Sequence, residues 1–363
     1  MEIRALILTN HPIEDGSNRY RIYQYLPELE RVGVRCVVRP FTTPGLFRAM
    51  RRQRLHLGHC VIALFCVLRR IIDVYSLSRY DVVLIHREAF PFFTPYVEQM
   101  ILSRHSRVVY SFDDAIYAGH QTPQRGWLYR LKYGKGIDEV LRRAHLIIAG
   151  NGILAAHAEQ HNQNVIIIPT TVDTEVYRPR RKSDDPVITI GWYGSNSTGP
   201  YLQMIATALQ EIARRYPNRI RFKFYGLSSP PFPLPGLMCQ HFNLATELDD
   251  LSSLDIGLMP MPNDIWSQGK CGFKAIQYMA LGIPAIASPV GMTTDLIEHG
   301  INGFCADTSE EWIQYLDLLI TDPERRRSIG IEARRTIVER YSHQRWAPVM
   351  AQSVKHLAAG GVR

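Results

Sequence analysis

Short apolar runs of strand length recur along this chain and alternate with amphipathic helical stretches, a pattern that few folds accept. The runs are Ile3–Leu8, Val34–Val38, Val82–Ile85, Val108–Tyr110, Leu146–Ala149 and Val165–Ile168, then Ile188–Trp192, Phe222–Tyr225, Ile256–Met259, Ala285–Ser288 and Gly303–Ala306. Continuous apolar strands are buried on both faces, as in parallel sheets with helices on either side. Between the two series lies Tyr177–Pro186, charged, proline-flanked and without apolar period, which reads as an interdomain linker. The expected class is α/β, with two doubly wound Rossmann-like domains facing a central cleft. They would span residues 1–178 and 187–340, followed by a helix near Gln344–Ala358 within 341–363. Ligands of such sheets bind outside the carboxyl ends of the strands.

Composition narrows the function classes. The chain has 363 residues, enough for two ordinary domains, and 46% hydrophobic content, enough for real cores. Its six cysteines show no metal-ligand spacing, which argues against zinc and disulfides and for a reducing cytoplasm. Met1–Asn10 reads as a first strand rather than a signal peptide. The longest apolar run, Cys60–Leu68, is about half a membrane span. The net charge of +8 suits nucleic acid, an anionic membrane or anionic substrates. No nucleic-acid module is recognisable, which leaves the last two.

Gly269–Phe304 reads as loop, helix, buried strand and a second glycine-bearing loop. Gly272 stands where the helix begins, and a helix N-terminus favours phosphate through its N–H donors and macrodipole. Lys270 and Lys274 flank it. The helix, Phe273 to Leu281, stops at Gly282, with Pro284 just beyond. A diphosphate-bearing ligand is the simplest occupant. An ordinary βαβ turn with solvated lysines is the bland alternative.

Tyr278–Ala287 and the later Gly291, Asp295, Ile297, Gly300 and Gly303 resemble the donor-binding core of the GT-B glycosyltransferases, particularly glycosyltransferase family 4. The resemblance covers nearly the whole chain. It departs at the family's Glu-x7-Glu pair, whose register falls on Gly269 and Gln277. In the family the first Glu contacts the donor sugar and the second usually holds the ribose. Gln277 can still hydrogen-bond a ribose, whereas Gly269 offers only backbone, leaving sugar contacts to Asp264 or Lys270. The resemblance implies a nucleotide-sugar donor, retention of anomeric configuration, no cofactor and no obligatory metal. The implied acceptor is a glycan, lipid-linked or small-molecule hydroxyl, within polysaccharide or glycoconjugate biosynthesis. It also implies that the last helix crosses back to the first domain, with Trp346 as an anchor.

Further candidates follow from position. Gly194 and Ser195 end a strand at a turn able to hold phosphate, where the family often has a basic residue. Tyr225 can stack on a base or belong to the core, and Phe273 opens the phosphate-facing helix. Asp264 and Trp266 follow in an exposed-looking loop. Near the amino terminus, Gly16 permits close backbone approach, and Arg19 and Arg21 can hold an anion or be solvated. His86 and Asp113 end two strands. The family often has His at the register of Asp113, so both are catalytic candidates, with a helix-capping role open for Asp113. Arg48, Arg51, Arg52, Arg54, Arg69 and Arg70 around an apolar run suit either an anionic membrane surface or a core helix with a solvated face. The rival activities are a nucleotide-sugar epimerase and a catalytically silent sugar-nucleotide-binding subunit.

Overall fold

The structure, a computed structural model, describes residues 2–51, 54, 56–91, 95–121, 136–180 and 186–361. Arg52 of the basic cluster and residues 181–185 of the charged linker lie outside the described residues, as does the side chain of Arg51. The chain forms two compact units. The first comprises Met1–Thr170, Gly269–Cys271 and Trp346–Arg363, and the second Thr171–Gln268 and Gly272–Arg345.

In the first unit six parallel strands are ordered β2-β1-β3-β4-β5-β6. They are β1 (Ile3–Thr9), β2 (Val34–Pro40), β3 (Val82–His86), β4 (Val108–Phe112), β5 (Leu146–Ala149) and β6 (Val165–Ile167). All residues of β3 and β4 are buried, as their unbroken apolar runs require. The register sets Thr9 opposite His86 and His86 opposite Ser111, so three strands end side by side. Strand order reverses between β1 and β3, and their carboxyl ends are where a doubly wound sheet leaves room for a ligand.

In the second unit the order is β12-β11-β10-β7-β8-β9. These strands are β7 (Ile188–Tyr193), β8 (Ile220–Tyr225), β9 (Leu237–Gln240), β10 (Ile256–Met259), β11 (Ala285–Ala287) and β12 (Phe304–Cys305). This is the Rossmann order, with its reversal between β7 and β10. Strand β9 had no counterpart in the sequence reading. It is a short edge strand of alternating exposure behind a proline-rich stretch, so it lacks the apolar run that marks the others. The linker reading also shifts: chain of the second unit begins at Thr171. There Val172 bridges Ser342, Thr174 Oγ1 donates to Gln344 Oε1 at 3.0 Å, and Arg334 donates to the Thr174 and Tyr177 carbonyls.

Each unit has its own core. In the second, Ile190, Trp192, Phe222, Phe224 and Leu258 pack with Leu209, Ile212, Leu316 and Leu319 from covering helices. In the first, Ala5, Ile7, Leu84, Val109 and Ile148 pack with Ala347, Met350, Ala351 and Val354 of the final helix, His343–Ala358. We predict that Met350→Ala, at a side chain 2% exposed, destabilises the first unit by about 2–5 kcal/mol. Chemical denaturation checks this; a loss under about 1 kcal/mol, the size of an ordinary surface change, would mean the helix is not part of that core.

Candidate functional site

At the reversal point of the first unit the chain assembles a dense polar cluster. Asp15 caps the helix Gly16–Arg21 by accepting from Asn18 N, and this fixes Ser17 beside the ends of β3 and β4. Ser17 Oγ lies 2.7 Å from Asp113 Oδ2 and 2.8 Å from His86 Nε2. Arg87 Nε donates to Asp113 Oδ1 at 2.5 Å, and its Nη2 to Asp114 Oδ2 at 2.6 Å. Lys270 Nζ approaches Asp114 Oδ1 at 3.5 Å. Arg87 is a non-glycine residue at φ +58°, a conformation disfavoured by roughly 1–2 kcal/mol, held by Arg87 N→Ser111 O and Tyr110 Oη→Arg87 O.

Protonation states follow from this geometry. Burial raises the Asp113 carboxyl, but the Arg87 guanidinium above all, with Arg21 behind it, overcomes this and holds the group well below the usual carboxylate range. A carboxylate only accepts, so Ser17 spends its one proton on Asp113 and accepts from His86, which therefore carries its proton on Nε2. Burial pushes His86 down to about 3, so the ring is neutral. Burial, then the Asp113 charge, pushes the Cys271 thiol up to about 12. It stays protonated and donates to Asp113 O at 3.3 Å.

Asn151 extends the cluster to the glycine loop. Its Oδ1 caps the helix Gly152–Glu159, while its Nδ2 donates to the carbonyls of Gly269 and Lys270 at 3.0 and 3.3 Å. Gly269 itself lies against Ala115, where an added Cβ would come within 2.9 Å of the Ala115 nitrogen. A glutamate cannot stand there without moving the backbone, which accounts for the missing first acid of the motif.

The second unit holds the phosphate-type features. Gly272 sits at φ +62° at the start of the helix Phe273–Ala280 and has no side chain to cap it. Lys274, on the first turn, sets its ammonium 5.5 Å from the Trp192 ring. A Cβ on Gly194 would collide with that ring and come within 2.9 Å of Lys274 Cε. The β7 turn and the helix start are therefore in contact. Ser195 Oγ hydrogen-bonds Ser197 Oγ at 2.8 Å, and Thr198 Oγ1 lies 3.5 Å from Ser195 N.

Several expected positions are corrected. Tyr225 is 3% exposed, with its hydroxyl on Ser253 Oγ at 3.1 Å, so its ring is core and cannot stack on a base. Trp266 is likewise buried, and Asp264 caps its short helix by accepting from Ser267 N. Gln277 is 2% exposed and donates to Glu247 Oε1 and Tyr177 Oη, so the Gln277 amide is already engaged. A carboxylate does reach that register, but it is Glu247 from another helix. Arg21 is buried on Ile168 O and Ser111 Oγ rather than held out for an anion. Lys270 belongs to the first unit's acid pair rather than to the phosphate turn. Arg19 lies over the Tyr20 ring, and the space beside Gly16 is open. Phe273 is half-buried at the helix start. Ser17, Arg87, Asn151 and Cys271 had no assigned roles; the signal for Arg87 was a cation and an acid pair ending adjacent strands.

Two distances from solvent matter here. His86 is fully buried and Asp113 is 6% exposed, so neither presents itself as an open acid or base. An imidazole depressed on folding is protonated first in the unfolded chain as pH falls. Its contribution is full above the ordinary value of 6.5 and is lost toward about 3. Asp113, held below the carboxylate range, contributes stability that is present throughout that window above the ordinary carboxylate value and is lost only at lower pH. We predict that wild type loses on the order of 3 kcal/mol relative to His86→Gln between pH 6.5 and 4, a difference measure because buried Glu98, raised to about 7, acts with the opposite sign in both chains. Equal slopes in denaturation across that range would remove His86 as the titrating group.

Comparisons with known proteins agree with this architecture. Residues 252–336 match the family described as Glycosyl transferases group 1. No curated protein matches the chain by sequence. Among solved structures, Anabaena HepE with UDP and glucose is 14% identical at a TM-score of 0.66, with 98% of this chain and 99% of that chain covered. A glycosyltransferase from Rickettsia africae is 12% identical at 0.69, covering 98% of each. Sucrose-phosphate synthase from Thermosynechococcus elongatus is 14% identical at 0.68, covering 99% and 100%. With both sheets, their strand orders and the group 1 segment in place, the chain has the GT-B fold of the glycosyltransferases.

Proposed function

We propose that the chain is a glycosyltransferase moving a sugar from a nucleoside diphosphate sugar to an acceptor hydroxyl, with retention and without an obligatory divalent cation. The observation that carries this reading is the contact of Gly194, Lys274 and the uncapped helix start at Gly272 in a Rossmann-ordered unit. Lys274 and the helix dipole supply positive charge where a leaving diphosphate needs it. HepE, of the same fold, has been solved with UDP-glucose, which supports a nucleotide-sugar donor.

Retention is favoured by what the first unit's acid cannot do. Inversion needs a base free to take the acceptor proton. Asp113 is a weak base, with one oxygen on Arg87 and the other on Ser17, and His86 is shielded behind Ser17. A retaining transfer in which the leaving phosphate takes the acceptor proton asks no such base of this cluster. The role left to Asp113 is electrostatic, and to Ser17 and His86 positional.

The acceptor side bears on membranes. No described helix is long and apolar enough to cross a bilayer. The helix Leu57–Tyr75 nevertheless turns its apolar face outward: Leu57 is 88% exposed, Val61 70%, Leu64 60%, Leu68 52% and Ile72 66%. Arg69 and Arg70, read from the sequence as facing either lipid or water, instead point inward to backbone carbonyls. Arg48 and Arg54, which precede the helix, are exposed, and exposed Arg104 lies over the ring of Tyr75 at its end. Such a face lies in the headgroup boundary of an anionic bilayer, which would bring a lipid-linked acceptor to the first unit.

Two measurements follow. UDP or a UDP-sugar is expected to raise the melting temperature with EDTA present, and Lys274→Ala to weaken that binding by one to two orders, roughly 1.5–3 kcal/mol. Binding with no nucleotide, or equal affinity in the variant, would overturn the donor site; binding without product release would favour a silent subunit. Cosedimentation with phosphatidylglycerol vesicles is expected, and the double change Leu64→Ser with Leu68→Ser should weaken it at least roughly tenfold. Equal recovery of wild type and variant would leave the helix without a membrane role.

A further inference from the structure

A second constellation in the first unit is independent of the transfer chemistry. Asp138 lies on the first turn of the helix Gly136–Arg143, and His157 on the last turn of the helix Gly152–Glu159. His161 follows one turn later, where His161 N→Ala158 O continues the helical path. The spacing His157-Ala-Glu-Gln-His161 is the i, i+4 arrangement that sets two imidazoles on one face, a signal present in the sequence. Asp138 Oδ1 lies 3.1 Å from His157 Nε2 and 3.5 Å from His161 Nε2. One ligand atom from each of the three residues falls within 4.8 Å of the other two.

We propose that Asp138, His157 and His161 form a divalent-cation site suited to Zn2+, with water in the remaining position. The donor set is two imidazole nitrogens and a carboxylate oxygen, which suits zinc and excludes the oxygen-only preference of calcium and magnesium. Bonds of about 2.0–2.1 Å in a tetrahedron set ligand atoms roughly 3.3 Å apart, and the two measured separations bracket that value. The rings need little rearrangement. Tyr117 stacks on His157 with centroids 3.6 Å apart and planes 11° from parallel, and His161 meets His157 edge-on at 5.2 Å. The side chains are 34%, 21% and 18% exposed for Asp138, His157 and His161, so an ion can reach them and keep a water.

In the metal-free arrangement each imidazole would turn an Nε2 proton toward the shared oxygen. A ring that presents Nε2 to the ion carries its proton on Nδ1 instead. The bound ion would tie the helix Gly136–Arg143 to the end of the helix Gly152–Glu159. The amino-terminal cap of the latter, Asn151, holds the Gly269 and Lys270 carbonyls. The site thus braces the scaffold to which the glycine loop is tied.

The test is Zn2+ titration of the metal-stripped full chain by calorimetry, with Co2+ as a spectroscopic probe. One Zn2+ per chain is expected, with a rise in melting temperature on binding. The Co2+ complex should show four-coordinate ligand-field bands without a thiolate charge-transfer band. His161→Ala and Asp138→Asn should each weaken the ion at least roughly 100-fold while melting like the wild type without metal. No Zn2+ uptake, a thiolate band that places the ion on cysteine, or unchanged affinity in both variants would overturn the proposal. If His161→Ala fails to fold, Asp138→Asn, at the most exposed ligand, decides the matter alone. Nucleotide binding in EDTA is read separately, so failure here leaves the transferase reading untouched.

Discussion

The ion pair between Arg87 and Asp113 is the constraint around which the first unit's functional edge is arranged. Parallel strands end together, and their last residues share one rim. At that rim β3 delivers Arg87 and β4 delivers Asp113 and Asp114, so a fork-shaped cation meets two carboxylates across adjacent strands. The pairing holds Arg87 in a left-handed backbone that its side chain would otherwise avoid. Losing one partner of such a pair leaves an uncompensated charge and typically costs about 3–5 kcal/mol. That penalty maintains the strained turn, and the turn in turn fixes the place of His86 directly before it.

From that pair the other roles follow by proton bookkeeping. A charged Asp113 obliges Ser17 to donate, Ser17 obliges His86 to carry its proton on Nε2, and burial keeps the ring neutral. The result is a rigid, ion-paired carboxylate screened by a serine, and a poor base. The second unit is built oppositely, with a glycine turn, a helix start and Lys274 gathered around Trp192. One unit holds fixed charge and the other gathers positive potential.

The strand framework was legible because burial on both faces writes itself as an unbroken apolar run. The edge strand β9 was not, because alternating exposure over a few residues resembles a loop. The helix start at Gly272 and its stop before Gly282 were also legible, since glycine marks a left-handed backbone directly. Side-chain direction was not. Tyr225 ends its strand beside the expected base site, yet Ser253 gives its hydroxyl an interior partner. Gln277 lies in the motif's register, yet Glu247 arrives from a distant helix to engage it. The pairing of Asp138 with His157 and His161 was hidden for the same reason: its spacing shows only half of it, and the third member comes from another element.

The helix Leu57–Tyr75 inverts the usual logic, and the inversion has a local cause. Its inner face lies over the ends of β1 and β2, where Arg69 donates to the Phe41 carbonyl and Arg70 to those of Thr9 and Arg39. An apolar face could make none of these bonds. Arg69 and Arg70 therefore turn inward, with Asp73 3.5 Å from Arg70 to balance the charge. In a helix whose polar residues are drawn to one side, the remaining face must carry the leucines, valines and isoleucines. Nineteen residues at the helical rise make a ridge roughly 28 Å long. An apolar ridge of that length on a folded chain is more than scattered surface hydrophobicity. The inward hydrogen bonds of Arg69 and Arg70 thus fix which way the helix faces.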